Sequence, residues 1–318
     1  MHALFRPRGV PYFTDMNWKP SDIPSQHGRL AVITGTGGLG LEDALALARA
    51  GSEVIIAGRN PRKGADAVAK VLAEVPTASV RFEQVDLASL TSVADFAARL
   101  RSQTDKLDLL INNAAVMTPP KHEQTADGFE LQFGTNYLGH FALTAHLLPL
   151  LRKGTNARVI TLSSVAARDG TMDFDDLQSQ RGYAPMKAYG QSKLACLLFA
   201  FELQRRAEAN QWGITSVAAH PGISRTDLLH NAPGRWSGVG IVRSLFWFLF
   251  QPASQGALPT LYAATSPDAK GGGYYGPDKL NETRGFPAPA KVPPRANEQA
   301  TAQRLWRESE QLTRVAFG

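Results

Sequence analysis

The 318-residue sequence lacks the features that several protein classes require. It contains one cysteine, Cys196, so no disulfide can form within the chain, which favours a reducing compartment such as the cytoplasm. Its seven histidines include no helical pair four residues apart and no Cys/His cluster, so the pattern does not indicate a catalytic metal. A G-x-x-x-x-G-K-[ST] phosphate loop is also absent, which argues against nucleotide hydrolysis.

Long hydrophobic runs are missing as well. The most apolar stretch, residues 241–250, is interrupted by Arg243, and a helix that spans a bilayer needs about 20 residues. Residues 1–28 contain no apolar segment of the signal-peptide type. We therefore expect a cytoplasmic protein without an integral membrane span.

The charge balance is moderately basic, with 34 Lys and Arg against 28 Asp and Glu. A net charge of +6 indicates an anionic partner. The basic residues are scattered along the chain, without an arginine-rich arm or a basic helix. They therefore favour a phosphate-bearing cofactor over nucleic acid, which we do not expect as a partner.

Short apolar segments alternate with helical segments along most of the chain. Strands are predicted at 29–34, 53–57, 79–84, 107–111, 158–162 and 214–219. This alternation predicts an α/β fold with a single Rossmann-like, doubly wound parallel sheet and helices on both faces. The predicted organisation is an N-terminal arm (1–28), a dinucleotide-binding domain (29–280) with a substrate lid near 223–250, and a C-terminal surface wrap and helix (281–318).

A glycine cluster, TGTGGLG at 34–40, lies between the first predicted strand and the first helix. Gly35, Gly37 and Gly40 match G-x-G-x-x-G, which lets the backbone approach a pyrophosphate at the positive end of a helix. A glycine-rich turn without a ligand is the alternative. The strand before the cluster and the helix after it favour a dinucleotide.

The end of the second strand indicates which dinucleotide binds. NAD sites usually carry an acidic residue there, whereas this strand ends in Gly58 and Arg59. A guanidinium binds a 2′-phosphate, so we expect NADP(H) to be preferred, with NAD(H) as the alternative. A solvated loop arginine would look the same in the sequence. Asp86, after the third strand, either meets the adenine or caps the next helix.

Tyr189 and Lys193 are four residues apart on a predicted helix and therefore lie on one face. A fixed ammonium near a phenol stabilises the phenolate, so the pair can exchange a proton with a carbonyl or an alcohol. A second Tyr-x-x-x-Lys, Tyr183 to Lys187, contains Pro185 and is predicted to be a loop.

Polar residues on two other segments complete this candidate site. Ser163 and Ser164 end a predicted strand, where a doubly wound sheet opens its ligand crevice, and a serine there can bind a substrate oxygen. Asn136 lies inside a helical stretch predicted for 131–147, although asparagine favours helices poorly. A water-bridged link towards Lys193 would explain it, and a solvent-facing amide is the alternative.

Across about residues 26–280 the chain resembles the short-chain dehydrogenase/reductase family, and most of all its branch of retinol dehydrogenases and light-dependent protochlorophyllide reductases. The matching pieces are TGTGGLG (34–40), Asp86, NNAA (112–115), Asn136, SS (163–164), YGQSK (189–193) and HPGISRT (220–226). The resemblance implies Tyr189 as general acid/base, Lys193 as its modulator, Ser164 rather than Ser163 as substrate anchor, and Asn136 as the fourth member. The cofactor-binding residues it implies are Gly35, Thr36, Gly38, Leu39, Gly40, Arg59, Asp86, Leu87, Asn113, Ala114, Tyr189, Lys193, Pro221, Gly222 and Thr226.

Two motifs depart from the family pattern. The glycine loop is one residue shorter than the usual T-G-x-x-x-G-x-G, which changes where the helix N-terminus points and weakens the argument for NADP(H). Ala115 replaces the last glycine of the usual Asn-Asn-Ala-Gly. With the four catalytic positions intact, we expect activity to survive both changes.

The predicted lid is rich in Leu, Ile, Phe and Trp, which favours a small hydrophobic carbonyl or alcohol as substrate. Contact with another subunit or with a membrane surface would explain the same composition. Long helices near 121–152 and 189–210 often pair between subunits in the family, so a homodimer or homotetramer is an expected state beside a monomer.

Two other functions compete with this one. A catalytically silent dinucleotide sensor on the same fold would be expected to have lost the Tyr189 and Lys193 pair. A methyltransferase should carry an acidic residue after the second strand, where Arg59 stands.

Overall fold

The computed structural model describes residues 17–224 and 251–318. One eight-stranded sheet forms the centre of this part of the chain. Strands β1 to β8 span Leu30–Thr34, Glu53–Gly58, Val80–Gln84, Leu109–Asn112, Arg158–Leu162, Thr215–Ala219, Tyr274–Lys279 and Arg284–Pro289. Their order is β3-β2-β1-β4-β5-β6-β7-β8. Neighbouring strands are parallel except β7 and β8, and this confirms the predicted doubly wound α/β sheet.

Helices fill the connections between the strands. Helices α1 to α9 span Leu39–Arg49, Pro61–Glu74, Leu90–Gln103, Leu131–Phe133, Gly139–Leu151, Pro185–Ala209, Ala253–Gly256, Leu258–Thr265 and Gln299–Thr313. Their starts follow local rules: the Asn60 side chain accepts from Lys63 N at the start of α2, and Ser89 accepts from Ser92 N at the start of α3. Proline occupies the first turn of α6, where its missing N–H costs nothing.

Both faces of the sheet are buried. In β1, Leu30 and Val32 pack into the core that includes α3, α5, α6 and α9, while Ala31 and Ile33 pack into the core that includes α1, α2 and α8. Because successive residues of a strand point to opposite faces, a sheet covered on both sides needs an almost continuous apolar run in each central strand. This requirement explains the short apolar segments of the sequence.

The C-terminal helix α9 closes one of these cores with aromatic side chains. Trp306 packs against Phe141 of α5 and Phe199 of α6, with ring centroids 5.1 Å and 5.8 Å away. Phe317, beyond the end of α9, lies 4.4 Å from Trp306. The C-terminal segment is therefore part of the core.

The structure corrects two details predicted from the sequence. The stretch 131–147 is not one regular helix, because a π-helical segment, Gly134–Leu138, separates α4 from α5. The segment after 280, for which the sequence predicts no strand, includes the antiparallel edge strand β8. Within residues 17–224 and 251–318, no helix is long and apolar enough to cross a membrane.

The strand order reverses between β1 and β4, since β1 leads on to β2 and β3 on one side while β4 to β6 continue on the other. Ligands of doubly wound sheets bind in the crevice at this reversal, at the carboxyl ends of the strands. The glycine loop follows β1, and Asn113 follows β4. The fold thus brings these two motifs to one crevice.

Candidate active site

The glycine loop is packed too tightly for larger residues. Gly35 and Gly38 have positive φ angles of 104° and 53°. The Asn113 amide donates to Thr34 O at 2.7 Å and covers the turn. A Cβ atom on Gly35 would lie 2.7 Å from that amide nitrogen, and one on Gly40 would lie 2.7 Å from the Gly35 carbonyl oxygen. Asn113 therefore holds the loop in its conformation.

The loop leads into the first turn of helix α1. Gly38 precedes the helix and has no side chain to cap it. The backbone N–H groups of Leu39, Gly40 and Leu41 find no acceptor among the residues that the structure describes. Free amides at a helix N-terminus bind anions. The shortened loop thus still fits the pyrophosphate of a dinucleotide.

The ends of β2 and β3 lie beside this loop. The Thr36 methyl group packs over Gly58, where a Cβ atom would lie 2.7 Å from it. Arg59 is exposed, and its guanidinium has no ion pair in the described part of the chain. Asp86 is half-buried and accepts from Ala88 N at 3.0 Å. The helix cap that it might have supplied is Ser89, so the Asp86 carboxylate does not cap α3.

Two other predicted cofactor residues make close backbone contacts. Ala114 N donates to Thr34 Oγ1 at 3.0 Å, which fixes the chain after β4 against the glycine loop. Leu87 is buried, and its carbonyl oxygen packs so closely against Gly139 that a Cβ atom there would collide with it. Thr226 lies outside the described residues, as does most of the predicted lid.

Tyr189 and Lys193 lie one turn apart on α6, as the spacing predicts. The Lys193 ammonium nitrogen is 5.9 Å from the centroid of the Tyr189 ring and donates to Leu162 O at 3.1 Å. Lys193 is only 2% exposed, and it has no carboxylate partner in the described ranges. A buried cation without a counter-ion makes its surroundings favourable for an anion such as a phenolate.

The other Tyr-x-x-x-Lys pair is separated by the start of α6. Tyr183 precedes the helix, whereas Lys187 lies in its first turn. The Tyr183 hydroxyl donates to Pro119 O at 2.9 Å and accepts from Gln132 Nε2 at 3.2 Å, so both of its recorded partners are structural. Tyr183 and Lys187 therefore do not form a second site.

The two serines after β5 have different partners. Ser163 is buried, and its hydroxyl donates to Lys193 O at 2.8 Å. Ser164 is half-buried, and its Oγ accepts from Ala166 N at 3.2 Å. Since Ser164 accepts in this contact, its own proton is available for a substrate oxygen.

Asn136 is 1% exposed and does not face solvent, which excludes that alternative. Its amide oxygen accepts from Val116 N at 2.7 Å, and its amide nitrogen donates to Val116 O at 2.9 Å and to Ser192 Oγ at 3.0 Å. Its side chain thus joins the π-helical segment, the loop after β4 and the helix of Tyr189.

His140, which the sequence did not single out as a site residue, lies between the loop and this cluster. Thr34 Oγ1 accepts from Asn113 N and Ala114 N, and its proton can go to Ile111 O at 3.3 Å or to His140 Nε2 at 2.9 Å. We assign it to His140 Nε2, because the other ring nitrogen faces a carbonyl oxygen and must carry the ring proton. His140 Nδ1 then donates to Asn136 O at 2.9 Å. Burial lowers the pKa of His140 to about 4, so the ring is neutral in this network. Its position four residues after Asn136 on one helix face was the available signal.

An apolar cavity of about 270 Å³ connects these elements. The described residues that line it are Leu39, Met117, Ser163, Ser164, Val165, Ala166, Met186, Tyr189, Pro221, Gly222, Ile223 and Ser224. The cavity thus brings together the start of α1, the serines after β5, Tyr189 and the loop after β6. No cluster of three or more metal-ligating side chains occurs in the described ranges.

Known proteins share both the sequence and the fold of this chain. The family model for short chain dehydrogenases matches residues 29–235. Mouse polyprenol dehydrogenase is 40% identical over 95% of this chain and 89% of its own length, and mouse retinol dehydrogenase 13 is 40% identical over 91% and 85%. These matches confirm the resemblance to the retinol dehydrogenase branch.

A solved structure agrees with them. The crystal structure of an uncharacterised protein from Mycobacterium Paratuberculosis has a TM-score of 0.78 and 40% identity to this chain, and covers 95% of it and 99% of its own chain. The chain belongs to the short-chain dehydrogenase family and is an NAD(P)-dependent oxidoreductase that acts on CH–OH or C=O groups.

Proposed function

We propose that the protein interconverts a hydrophobic carbonyl compound and its alcohol with NADP(H), using Tyr189, Lys193, Ser164 and Asn136. The observation that carries this proposal is the position of Tyr189. It lines an apolar cavity beside the glycine loop, with a buried ammonium one helical turn away.

In the proposed mechanism, Ser164 donates a hydrogen bond to the substrate oxygen and holds it near Tyr189. The Tyr189 hydroxyl delivers a proton to that oxygen when a ketone or aldehyde is reduced, and removes it when an alcohol is oxidised. The Lys193 ammonium stabilises the phenolate that remains. When bound, the nicotinamide cofactor supplies or accepts a hydride.

The proposed preference for NADP(H) rests on the end of β2. Arg59 is exposed beside the glycine loop and has no ion pair in the described part of the chain, so it is available for a 2′-phosphate. The helix-start amides after Gly38 would hold the pyrophosphate, and Asn113, Ala114 and Asp86 would border the adenosine.

The proposed substrate class rests on the cavity wall. Leu39, Met117, Met186 and Ile223 surround the hydroxyl groups of Ser164 and Tyr189, and no charged side chain lines this space among the described residues. An apolar wall with a few polar groups selects a hydrophobic molecule and orients its one oxygen. The names of two relatives, polyprenol dehydrogenase and retinol dehydrogenase 13, are consistent with a lipophilic alcohol.

We also propose that the protein acts in the cytoplasm on a small molecule, without nucleic acid, and that it forms a homodimer or a homotetramer. The net charge of +6 then serves to attract the negatively charged phosphates of the cofactor. Light scattering of the purified chain measures the oligomeric state, and a monomer at all concentrations would contradict the last part.

The first prediction concerns Tyr189→Phe. Without its hydroxyl the protein should bind NADPH nearly as before, while turnover of apolar aldehydes falls by about a hundredfold or more, because the proton donor is lost. NADPH consumption with a panel of long-chain and aromatic aldehydes measures the turnover, and NADPH fluorescence measures the binding.

Tyr183→Phe is the matched control. It removes the hydroxyl of Tyr183, from the other Tyr-x-x-x-Lys pair. This hydroxyl contacts Pro119 O, and Tyr183 is not among the described residues that line the cavity. Turnover of this variant should stay within about threefold of that of the unaltered protein. This change is far smaller than the fall of about a hundredfold expected when a proton donor is lost. Near-normal turnover by Tyr189→Phe would overturn the mechanism.

A further inference from the structure

The tip of the hairpin between β7 and β8 has an unusual backbone. Three consecutive non-glycine residues, Leu280, Asn281 and Glu282, have positive φ angles of 49°, 54° and 64°. This left-handed conformation costs free energy for residues that carry a Cβ atom. Such strain persists only where the surrounding contacts enforce it, and it often marks a functional position. The contacts of Glu282 supply the reason here.

The Glu282 carboxylate is held by three donors. Its Oε2 accepts from Arg168 Nη2 at 2.7 Å and from His220 Nε2 at 3.0 Å, and its Oε1 accepts from Lys291 N at 2.9 Å. Burial alone would raise its pKa, but the hydrogen bonds from His220 and Lys291 lower it to about 2. Glu282 is therefore ionised in any ordinary buffer.

His220 connects this carboxylate to the loop after β6. The ring is buried, donates to Glu282 through Nε2 and accepts from Gly222 N through Nδ1 at 3.3 Å. A Cβ atom on Gly276 of β7 would collide with the ring, and one on Gly222 would collide with Thr283 O. The hairpin thus packs directly against the loop that carries Gly222.

Arg168 connects the same carboxylate to the loop after β5. It ends a short 3-10 turn, Val165–Arg168, whose first residue follows Ser164. A second hydrogen bond, from Arg168 Nη1 to Asn281 O at 3.2 Å, fixes the guanidinium on the hairpin tip. The turn also packs on α6, where a Cβ atom on Gly190 would lie 3.1 Å from Ala166 O. Arg168 is therefore joined to Ser164 by a single rigid turn.

We propose that Glu282 is a positioning residue for the reaction. By holding Arg168 and His220 at once, its carboxylate sets the separation between the loop of Ser164 and the loop of Gly222, which form two walls of the apolar cavity. Glu282 touches neither substrate nor cofactor in this arrangement. The inference rests on the proposed function, because it assumes that the reacting groups meet between these two loops.

Catalysis is sensitive to this separation. Reacting atoms must approach to about 3–3.5 Å, and a misplacement of about 1 Å can cost about a hundredfold in rate. Loss of a purely structural ion pair would lower stability and leave the kcat of the folded protein unchanged. Loss of a positioning residue lowers kcat in protein that is still folded. The two roles are therefore separable.

The test compares Glu282→Gln with Asp278→Asn. Both changes neutralise a carboxylate on the same hairpin, but Asp278 is exposed and, among the described residues, accepts a hydrogen bond from Phe286 N alone. We expect Glu282→Gln to lower kcat by about tenfold to a hundredfold. Its NADPH dissociation constant should stay close to that of Asp278→Asn, and its kcat should stay low at temperatures well below its own Tm. Equal kcat values in the two variants, or a loss of kcat that only follows Tm, would overturn the proposal.

Variants of Arg168 provide a second, independent measurement. Arg168→Lys keeps the cation and should retain more kcat than Arg168→Met. The double variant with Arg168→Met and Glu282→Gln should have a kcat no lower than that of the worse single variant. The reason is that both substitutions remove the same contact between Arg168 and Glu282. Additive losses would contradict the proposal. If Glu282→Gln folds poorly, Arg168→Lys and Arg168→Met still decide, and equal kcat values in those two variants would contradict it.

The Tyr189→Phe result is separate from this test. Turnover that survives Tyr189→Phe removes the proposed function, while the kcat ratio of Glu282→Gln to Asp278→Asn still decides the positioning role. Turnover that is lost in Tyr189→Phe but normal in Glu282→Gln removes only the positioning role.

Discussion

At the scale of single residues, Asp43 is a fully buried carboxyl group in the described core. It lies in α1 with no exposed surface, and neither carboxylate oxygen has a hydrogen-bond partner among the described residues. Burial, and to a lesser degree the neighbouring Glu42, raises the pKa of Asp43 well above its usual range. The folded protein therefore keeps a proton on this group under conditions in which the unfolded chain releases it.

This difference makes stability depend on pH. Because the folded pKa is raised, the contribution of Asp43 is fully present below the unfolded pKa of about 4 and declines as the pH rises towards the folded value. We expect Asp43→Asn, which stays neutral, to gain free energy of unfolding relative to the unaltered protein as the pH rises above about 4, by up to about 1.4 kcal/mol per pH unit. Urea unfolding at several pH values measures the difference.

Asp66→Asn is the control for this prediction. Asp66 is exposed on α2, so the same chemical change there should leave the pH dependence of unfolding unaltered. A constant difference between Asp43→Asn and the unaltered protein across this pH range would show that the Asp43 carboxyl is not kept protonated by the fold.

Single site residues were predictable where local spacing decides their position. Tyr189 and Lys193 are four residues apart, and the helix that carries them needs no tertiary information. Asn136 was identified, but its pairing with Val116 across a π-helical segment depends on a contact between separate elements. The contacts of Glu282 also depend on tertiary structure, because its partners lie more than sixty positions away in the sequence. His220, for example, is 62 positions away.

At the scale of elements, α9 shows how the end of the chain supports the fold. Trp306 is 1% exposed, packs against Phe141 and Phe199, and carries Arg206 over its ring at 4.4 Å. Since α9 lies beyond residues 29–235, which the family model matches, its contribution adds to that of the shared domain. Helix α9 therefore stabilises the packing of α5 and α6, which carry residues of the candidate site.

Trp306→Ala should therefore destabilise the whole molecule. Removing a fully buried indole leaves a cavity and costs about 3–5 kcal/mol of unfolding free energy. Differential scanning calorimetry measures the loss as a fall in Tm, and the variant should still bind NADPH at temperatures where it is folded.

Arg307→Ala changes the next residue of α9, which is exposed, and should leave Tm nearly unchanged. If the two substitutions lowered Tm equally, α9 would not contribute through its buried face.

Elements differ in how well the sequence reveals them. The boundaries of β5 agree with the predicted ones, because a buried apolar run marks them locally. Strand β8 was missed because it carries Pro287 and Pro289, which are rare in strands. Proline is tolerated there because β8 is the edge strand, and that position is a property of the complete sheet.

At the scale of the whole molecule, a bound dinucleotide would join the two halves of the sheet. The glycine loop and Arg59 belong to the half that contains β1 to β3, whereas Asn113 and Tyr189 belong to the half that begins with β4. A ligand that contacts both halves binds the folded state only, and so raises the temperature of unfolding.

NADPH should therefore raise Tm more than NADH, and Arg59→Glu should remove that difference. Loss of a charge-assisted contact to the 2′-phosphate, worth about 1.5–3 kcal/mol, weakens NADPH binding by about tenfold or more. Thermal shift over a range of cofactor concentrations measures both affinities.

Lys70→Glu makes the same charge change on α2, at an exposed site away from the glycine loop, and controls for the overall field of the protein. Equal loss of NADPH affinity in the two variants would assign the preference to net charge. No loss in either would show that Arg59 does not meet the phosphate.

The buried position of the one thiol also makes the protein convenient for labelling. Cys196 is 1% exposed, its Sγ donates to Asn136 O, and burial raises the pKa of the thiol, so it reacts slowly with alkylating reagents. A cysteine introduced at exposed Leu280 would then be the only fast-reacting thiol on the molecule. Fluorophores or spin labels can be attached there without first removing a native cysteine. Such labels would report directly on the strained hairpin tip during turnover.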